Sequence, residues 1–142
     1  MTLRHVLISF ACIIIASCVN SKENRSQNLQ PILVTQETRR LVGKEVLVEG
    51  YLNFGDDAHG LWTSRRIYIE ARDGNADPDD VIWKNCINLN ASGDLASRLK
   101  ALNGRTVLVS GVVSIDPHGI DEVFAYSCND VALSVGKVVK AR

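Results

Sequence analysis

Several features are missing from this 142-residue chain, and each absence closes off a class of explanation. Sixteen Lys and Arg balance sixteen Asp and Glu, so no net charge draws the whole chain to nucleic acid or to an anionic membrane. No apolar run reaches the roughly 20 residues that a membrane-spanning helix needs. There is no CxxC pair, which leaves thioredoxin-like redox chemistry, c-type haem attachment and a zinc ribbon without support. GxSxG, HExxH and P-loop motifs are absent, and no Cys–His pair is arranged for nucleophilic catalysis. The carboxylate pairs Asp79–Asp80 and Asp121–Glu122 fall in turn-forming stretches. No internal repeat is visible, and the length suits one domain. The expectation is a non-enzymatic domain with no cofactor.

What is present begins at the N-terminus. Arg4 precedes an apolar run, VLISFACIII, from Val6 to Ile15. Ten residues are too few for a membrane span but match the apolar region of a secretory signal. Ile15-Ala16-Ser17-Cys18 resembles the lipobox of bacterial lipoproteins. The resemblance implies cleavage before Cys18, a diacylglycerol on its thiol and usually a third acyl chain, such as palmitate, on its amine. Each buried CH₂ of such chains contributes about 0.8 kcal/mol, so several chains hold firmly where one binds marginally. Val19 follows the Cys, a choice compatible with export to the outer membrane. The expected location is the bacterial cell envelope, lipid-anchored, and in a Gram-negative host the outer membrane facing the periplasm.

The organisation expected from this is a signal over 1–17, a lipidated Cys18 and flexible tether over 18–30, and a folded domain over 31–142. The tether sequence VNSKENRSQNLQ is too polar to offset the entropy of ordering. Thr35 is a candidate cap for a short helix over 36–42 that Gly43 ends. Residues 44–54 alternate, with Val46, Val48, Leu52 and Phe54 on one face, and Gly50 in that row suggests a bend. After the turn 55–60, LWTS reads as a short strand, and RRIYIEA, with Ile67 and Ile69 alternating, as its continuation or a strand of its own. A polar loop over 72–80 leads to a strand over 81–89 with Trp83, Ile87 and Leu89 on one face. The period then turns helical: Leu95, Leu99 and Leu102 fall at i, i+4 and i+7, with Ser92 or Asp94 as cap and Asn103-Gly104 as stop. Residues 105–115 alternate again, with Val107, Val109, Val113 and Ile115 on one side. Asp116-Pro117-His118-Gly119 has the composition of a β-turn. A last strand over 121–135 changes parity near Asn129, which predicts a bulge there.

Three strands, a helix and two strands resemble the OB-fold, a small five-stranded Greek-key barrel. The fold expected is mainly β: such a barrel, one helix between strands three and four, and a short N-terminal helix. The cues are GKEVLVEGYL and NGRTVLVSGVV, each a Gly-[Lys/Arg]-x-V-x-V-x-G opening of a strand. The chain is similar to a group of bacterial OB-fold proteins, several with lipoprotein signals; that similarity implies no particular activity. The runner-up is another small barrel or an α+β roll.

Cys12 lies in the removed segment and Cys18 is acylated on this reading, leaving Cys86 and Cys128 as an even pair in an oxidising compartment. In an OB barrel the third and fifth strands that carry them are neighbours, and a disulfide between them is expected. Cys86 points opposite to Trp83 and Ile87, whereas Cys128 shares a face with Phe124 and Tyr126, so a bulge is needed to bring them together. His59 with Asp57, and His118 with Asp116, sit in the loops after strands one and four, and form a weak candidate site for a divalent metal. Trp62, Arg65 and Tyr68 are the candidate ligand face, on the strands that OB-folds commonly use, while Trp83 suits the core better. The leading expectation is a lipid-anchored envelope module that binds a protein, a peptide or a saccharide, with nucleic acid disfavoured. The alternatives are a divalent-metal-binding envelope protein and a purely structural envelope component.

Overall fold

The computed structural model describes residues 28–55, 59–74, 81–115 and 128–142. Two short helices, α1 (Pro31–Gln36) and α2 (Thr38–Leu41), lead into β1 (Glu45–Phe54) and β2 (His59–Trp62). Then come α3 (Arg65–Asp73), a 3₁₀ turn (Val81–Asn85), β3 (Cys86–Asn90), α4 (Gly93–Ala101), β4 (Thr106–Ile115) and β5 (Val131–Lys140). The strands close into a barrel in the order β1-β2-β3-β5-β4. All pairs are antiparallel except β3 with β5. This is the expected OB-fold-like barrel, with the expected helix between strands three and four.

Period-two alternation builds the inside. Val48 and Leu52 of β1, Leu61 of β2, Ile87 and Leu89 of β3, Val107, Val109 and Val113 of β4, and Val131 and Leu133 of β5 point inward and are buried. Val34 of α1, Leu41 of α2 and Leu99 of α4 join them. Burying a side chain of this size contributes about 1.5–3 kcal/mol, so the interior alone commits the chain to a closed sheet. α4 ends as its sequence indicates: Gly104 takes φ +75°, a conformation open to glycine. The exit is stitched to β1, because Phe54 N–H donates to Asn103 Oδ1 at 2.8 Å and Gly104 N–H to the Leu52 carbonyl at 2.9 Å.

Six expectations are corrected. Residues 65–73 form a helix: Ser64 takes the N-cap position, and its Oγ accepts from Ile67 N–H at 3.3 Å. Trp83 sits in a 3₁₀ turn, so β3 starts at Cys86. The last strand runs over 131–140, and its bulge falls where the register steps from Ser110↔Lys137 to Gly111↔Val135, skipping Gly136. Asn129 precedes that strand: its Oδ1 accepts from Val131 N–H at 2.8 Å, an Asx turn that feeds β5. Ile115, expected inward, is exposed at the end of β4. The expected short helix is two helices that begin at Pro31, upstream of the Thr35 cap. Leu29, placed in the tether by sequence, pairs with β1 through Leu29 N–H to the Leu47 carbonyl (2.9 Å) and Glu49 N–H to the Leu29 carbonyl (2.8 Å).

Candidate functional site

The outer side of the wall carries a second cluster. Register sets Tyr51 of β1 beside Trp62 of β2, and Trp62 beside Cys86 of β3. Strands lie about 4.8 Å apart, so these three side chains form one row across the outside of the barrel. α3 lies on that row. The Tyr68 ring centroid is 5.5 Å from that of Tyr51 and 5.5 Å from that of Trp62, edge-on to the latter. The Trp83 ring stands 5.7 Å from Trp62. Ala71 is buried, Ile67 and Ile82 fill the gaps, and the Arg72 guanidinium lies 5.6 Å over the Tyr68 ring. Aromatic contacts of this geometry contribute roughly 0.5–1.5 kcal/mol each beyond the area they bury.

Cys86 and Cys128 are joined, as expected, with Cα atoms 5.2 Å apart, and both belong to this outer cluster. The cross-link stands on Gly60. A Cβ built there meets Cys128 Sγ at 2.6 Å, Cys86 Sγ at 2.7 Å and Trp62 Nε1 at 3.0 Å, so this position requires glycine. Two asparagines, Asn88 and Asn129, hold the Cys128 segment in place. Asn88 Oδ1 accepts from Cys128 N–H at 3.1 Å, while its Nδ2 donates to the Asn129 carbonyl and, at 3.2 Å, to the Val131 carbonyl. Asn129 Nδ2 donates to the carbonyls of Trp83 (2.9 Å) and Cys86 (2.7 Å). The signal for both was available: amides next to a strand that must bond irregular chain on either side.

The sequence-predicted ligand face is therefore rebuilt. Trp62 is buried beneath Tyr68 and packs as core; its Nε1 has no hydrogen-bond partner. Tyr68 is half-buried, and Arg65, at the first position of α3, is exposed. Tyr51, Tyr68 and Trp83 keep part of their rings accessible around the rim of α3. Arg72 pairs with Asp73 at 2.7 Å, and this hydrogen bond holds the Asp73 carboxyl below its usual range and raises the guanidinium. Cys18, Asp57, His118 and Asp116 lie outside the described residues. The backbone of His59 opens β2 rather than lying in the turn. Among the described residues no group of three or more His, Cys, Asp or Glu is placed to hold a metal ion, and no helix is long and apolar enough to cross a membrane.

The strand order and the position of α4 define a small OB-fold-like barrel whose outer wall carries a helix-covered aromatic and disulfide cluster. Comparison with protein-family models, with curated proteins and with solved structures found no match to this chain.

Proposed function

We propose that this chain is a lipid-anchored, non-enzymatic binding module of the bacterial cell envelope, held by Cys18, with a protein, peptide or saccharide as its partner. The observation that carries the reading is the gathering of Tyr51, Tyr68 and Trp83, each half-buried, on the wall that OB barrels use for ligands. Half-open rings bind sugar faces and apolar peptide side chains by stacking. Exposed Arg65 and Arg66 at the start of α3 add donors for carboxylates or carbonyls. Site chemistry supports this reading, since fold alone does not specify function.

The test uses the full-length protein in two arms. A fatty-acid probe should label the wild type and not Cys18→Ala; labelling that persists in the variant refutes the anchor. Tryptophan fluorescence is then followed during titration with N-acetylated oligosaccharides and with short unstructured peptides. One class should shift the Trp83 signal saturably, and Tyr51→Ala should weaken that response. If neither class shifts the signal, the aromatic rim is not a binding site.

A further inference from the structure

Net neutrality conceals a segregation of charge. From Leu95 to Ile115 and from Val131 to Arg142 the sequence has six cations and no acid. They are Arg98, Lys100, Arg105, Lys137, Lys140 and Arg142, and all are exposed. The fold brings them together. Lys140 pairs with Val107 and Lys137 with Ser110, on adjacent strands. Ala141 N–H donates to the Thr106 carbonyl at 3.1 Å, which sets Arg142 near Arg105. α4, carrying Arg98 and Lys100, ends at Ala101, just before Arg105. Among the described residues the ion pairs are Arg40–Glu37 and Arg72–Asp73, so none of the six is neutralised there. Among the described residues the acids that border the patch are Glu45 and Glu49 of β1, Asp94 at the start of α4 and Asp130 just ahead of β5.

We propose that this basic surface, made of Lys137 on the outer side of the β4–β5 sheet, Lys140, Arg105 and Arg142 at the end of the barrel where those strands meet, and the C-terminal half of α4, lies against a membrane surface bearing anionic headgroups. Two observations select a lipid surface. Val139 lies between Lys137 and Lys140, 42% exposed, and Val112 on β4 is 42% exposed. Apolar side chains among cations suit the boundary between headgroup and acyl chain, where each Lys or Arg adds about 1 kcal/mol of attraction. The second observation is where the N-terminal chain joins the barrel. Asn28 Nδ2 donates to Glu49 at 3.1 Å, Glu49 pairs with Leu108, and Leu108 pairs with Val139. Leu29 bonds the edge of β1 that faces away from β4, and neighbouring strands are about 4.8 Å apart, so the chain that carries Cys18 joins the same sheet with only β1 between it and β4. The proposal rests on the lipid-anchor reading for the orientation of the domain, and on the cations for the contact itself.

The experiment places the purified full-length protein on vesicles of phosphatidylcholine alone or mixed with phosphatidylglycerol. A membrane-impermeant amine reagent then labels it, and peptides are read by mass spectrometry. Lys100, Lys137 and Lys140 should label several-fold more slowly on the anionic vesicles, while Lys84, on the 3₁₀ turn, labels equally on both. Lys137→Gln with Lys140→Gln should lower partition onto anionic vesicles by roughly twenty-five-fold, at about fivefold per charge, with no change in melting temperature. Equal labelling on the two vesicle types overturns the proposal. So does protection that rises with protein concentration in the absence of lipid, which means a second copy. Protection by dextran sulfate but not by vesicles also overturns it. The mass of the Cys18 peptide reports the anchor separately: protected lysines on an unacylated chain sink the anchor and keep the contact, and freely labelled lysines on an acylated chain do the reverse.

Discussion

On β2, Leu61 points into the barrel and Trp62, the next residue, points out, and both are buried. The two sides of that wall are built differently. Inside, aliphatic side chains from every strand share the work, and no single one specifies the arrangement. Outside, a few particular groups do: three rings around Trp62, one cross-link, and a glycine beneath it. The inner core follows from alternation alone. The outer one depends on residue identity at single positions, so it should fail in larger and more local steps.

The largest effect should come from the cross-link. The cysteines are 42 residues apart, and a chain-entropy estimate gives about 4 kcal/mol for closing such a loop. The variant Cys86→Ala with Cys128→Ala should lower the free energy of unfolding by that order in urea titration. A loss under about 1 kcal/mol would mean that the asparagine hydrogen bonds hold the Cys128 segment unaided. Next comes the inside. Leu61→Ala should cost about 3 kcal/mol, within the range for a buried leucine, and both cores should unfold together. Separate transitions for tryptophan fluorescence and far-UV dichroism would show that the outer cluster is independent of the barrel.

Gly60→Ala sharpens the contrast. The added methyl meets two sulfurs and an indole nitrogen, and a cost of about 2 kcal/mol is expected from overpacking. In the cysteine-free variant most of that cost should vanish, because the sulfurs are gone. A double-mutant cycle with no coupling would place the strain elsewhere. Tyr68→Ala is milder, about 1 kcal/mol, since the ring is half-buried but touches two others. Amide exchange should quicken across α3 and stay unchanged in β4; equal quickening in both would make α3 part of the global unit.

The inner core could be read from sequence for the same reason that it is robust. Val46 to Phe54 and Val107 to Val113 announce their faces by alternation, and Leu95, Leu99 and Leu102 announce α4 by helical spacing. The outer core was hidden. In RRIYIEARD the alternating isoleucines imitate a strand, while the residues that pack, Ile67, Tyr68 and Ala71, follow a helical spacing that begins at the Ser64 cap. A single cap and a tertiary surface overrode local β propensity. Trp83 looks like part of β3 in the sequence because a 3₁₀ turn runs directly into that strand without a break. The last strand does break its alternation, but at Gly136; Asn129, where the sequence suggests the change, uses its side-chain oxygen for a turn ahead of the strand. The basic surface was lost in the net charge, which averages over the whole chain and has no memory of which strands are neighbours.

The smallest effect tests whether α3 is held by its rings or by its charges. Asp73 has its pKa lowered by the hydrogen bond from Arg72. A carboxylate lowered in the folded state contributes stability that is present above its unfolded pKa and is lost as pH falls through the folded one. The loss would therefore fall in acid, below the ordinary carboxylate range. Both partners are exposed at the last turn of α3, however, and solvent screens such a pair almost completely. Asp73→Asn should leave the urea midpoint unchanged at neutral pH, and the wild type and variant should lose stability in parallel on acidification. A midpoint that drops in the variant at neutral pH, and merges with the wild type in acid, would show that the Arg72–Asp73 pair holds the helix. The rings would then only follow it.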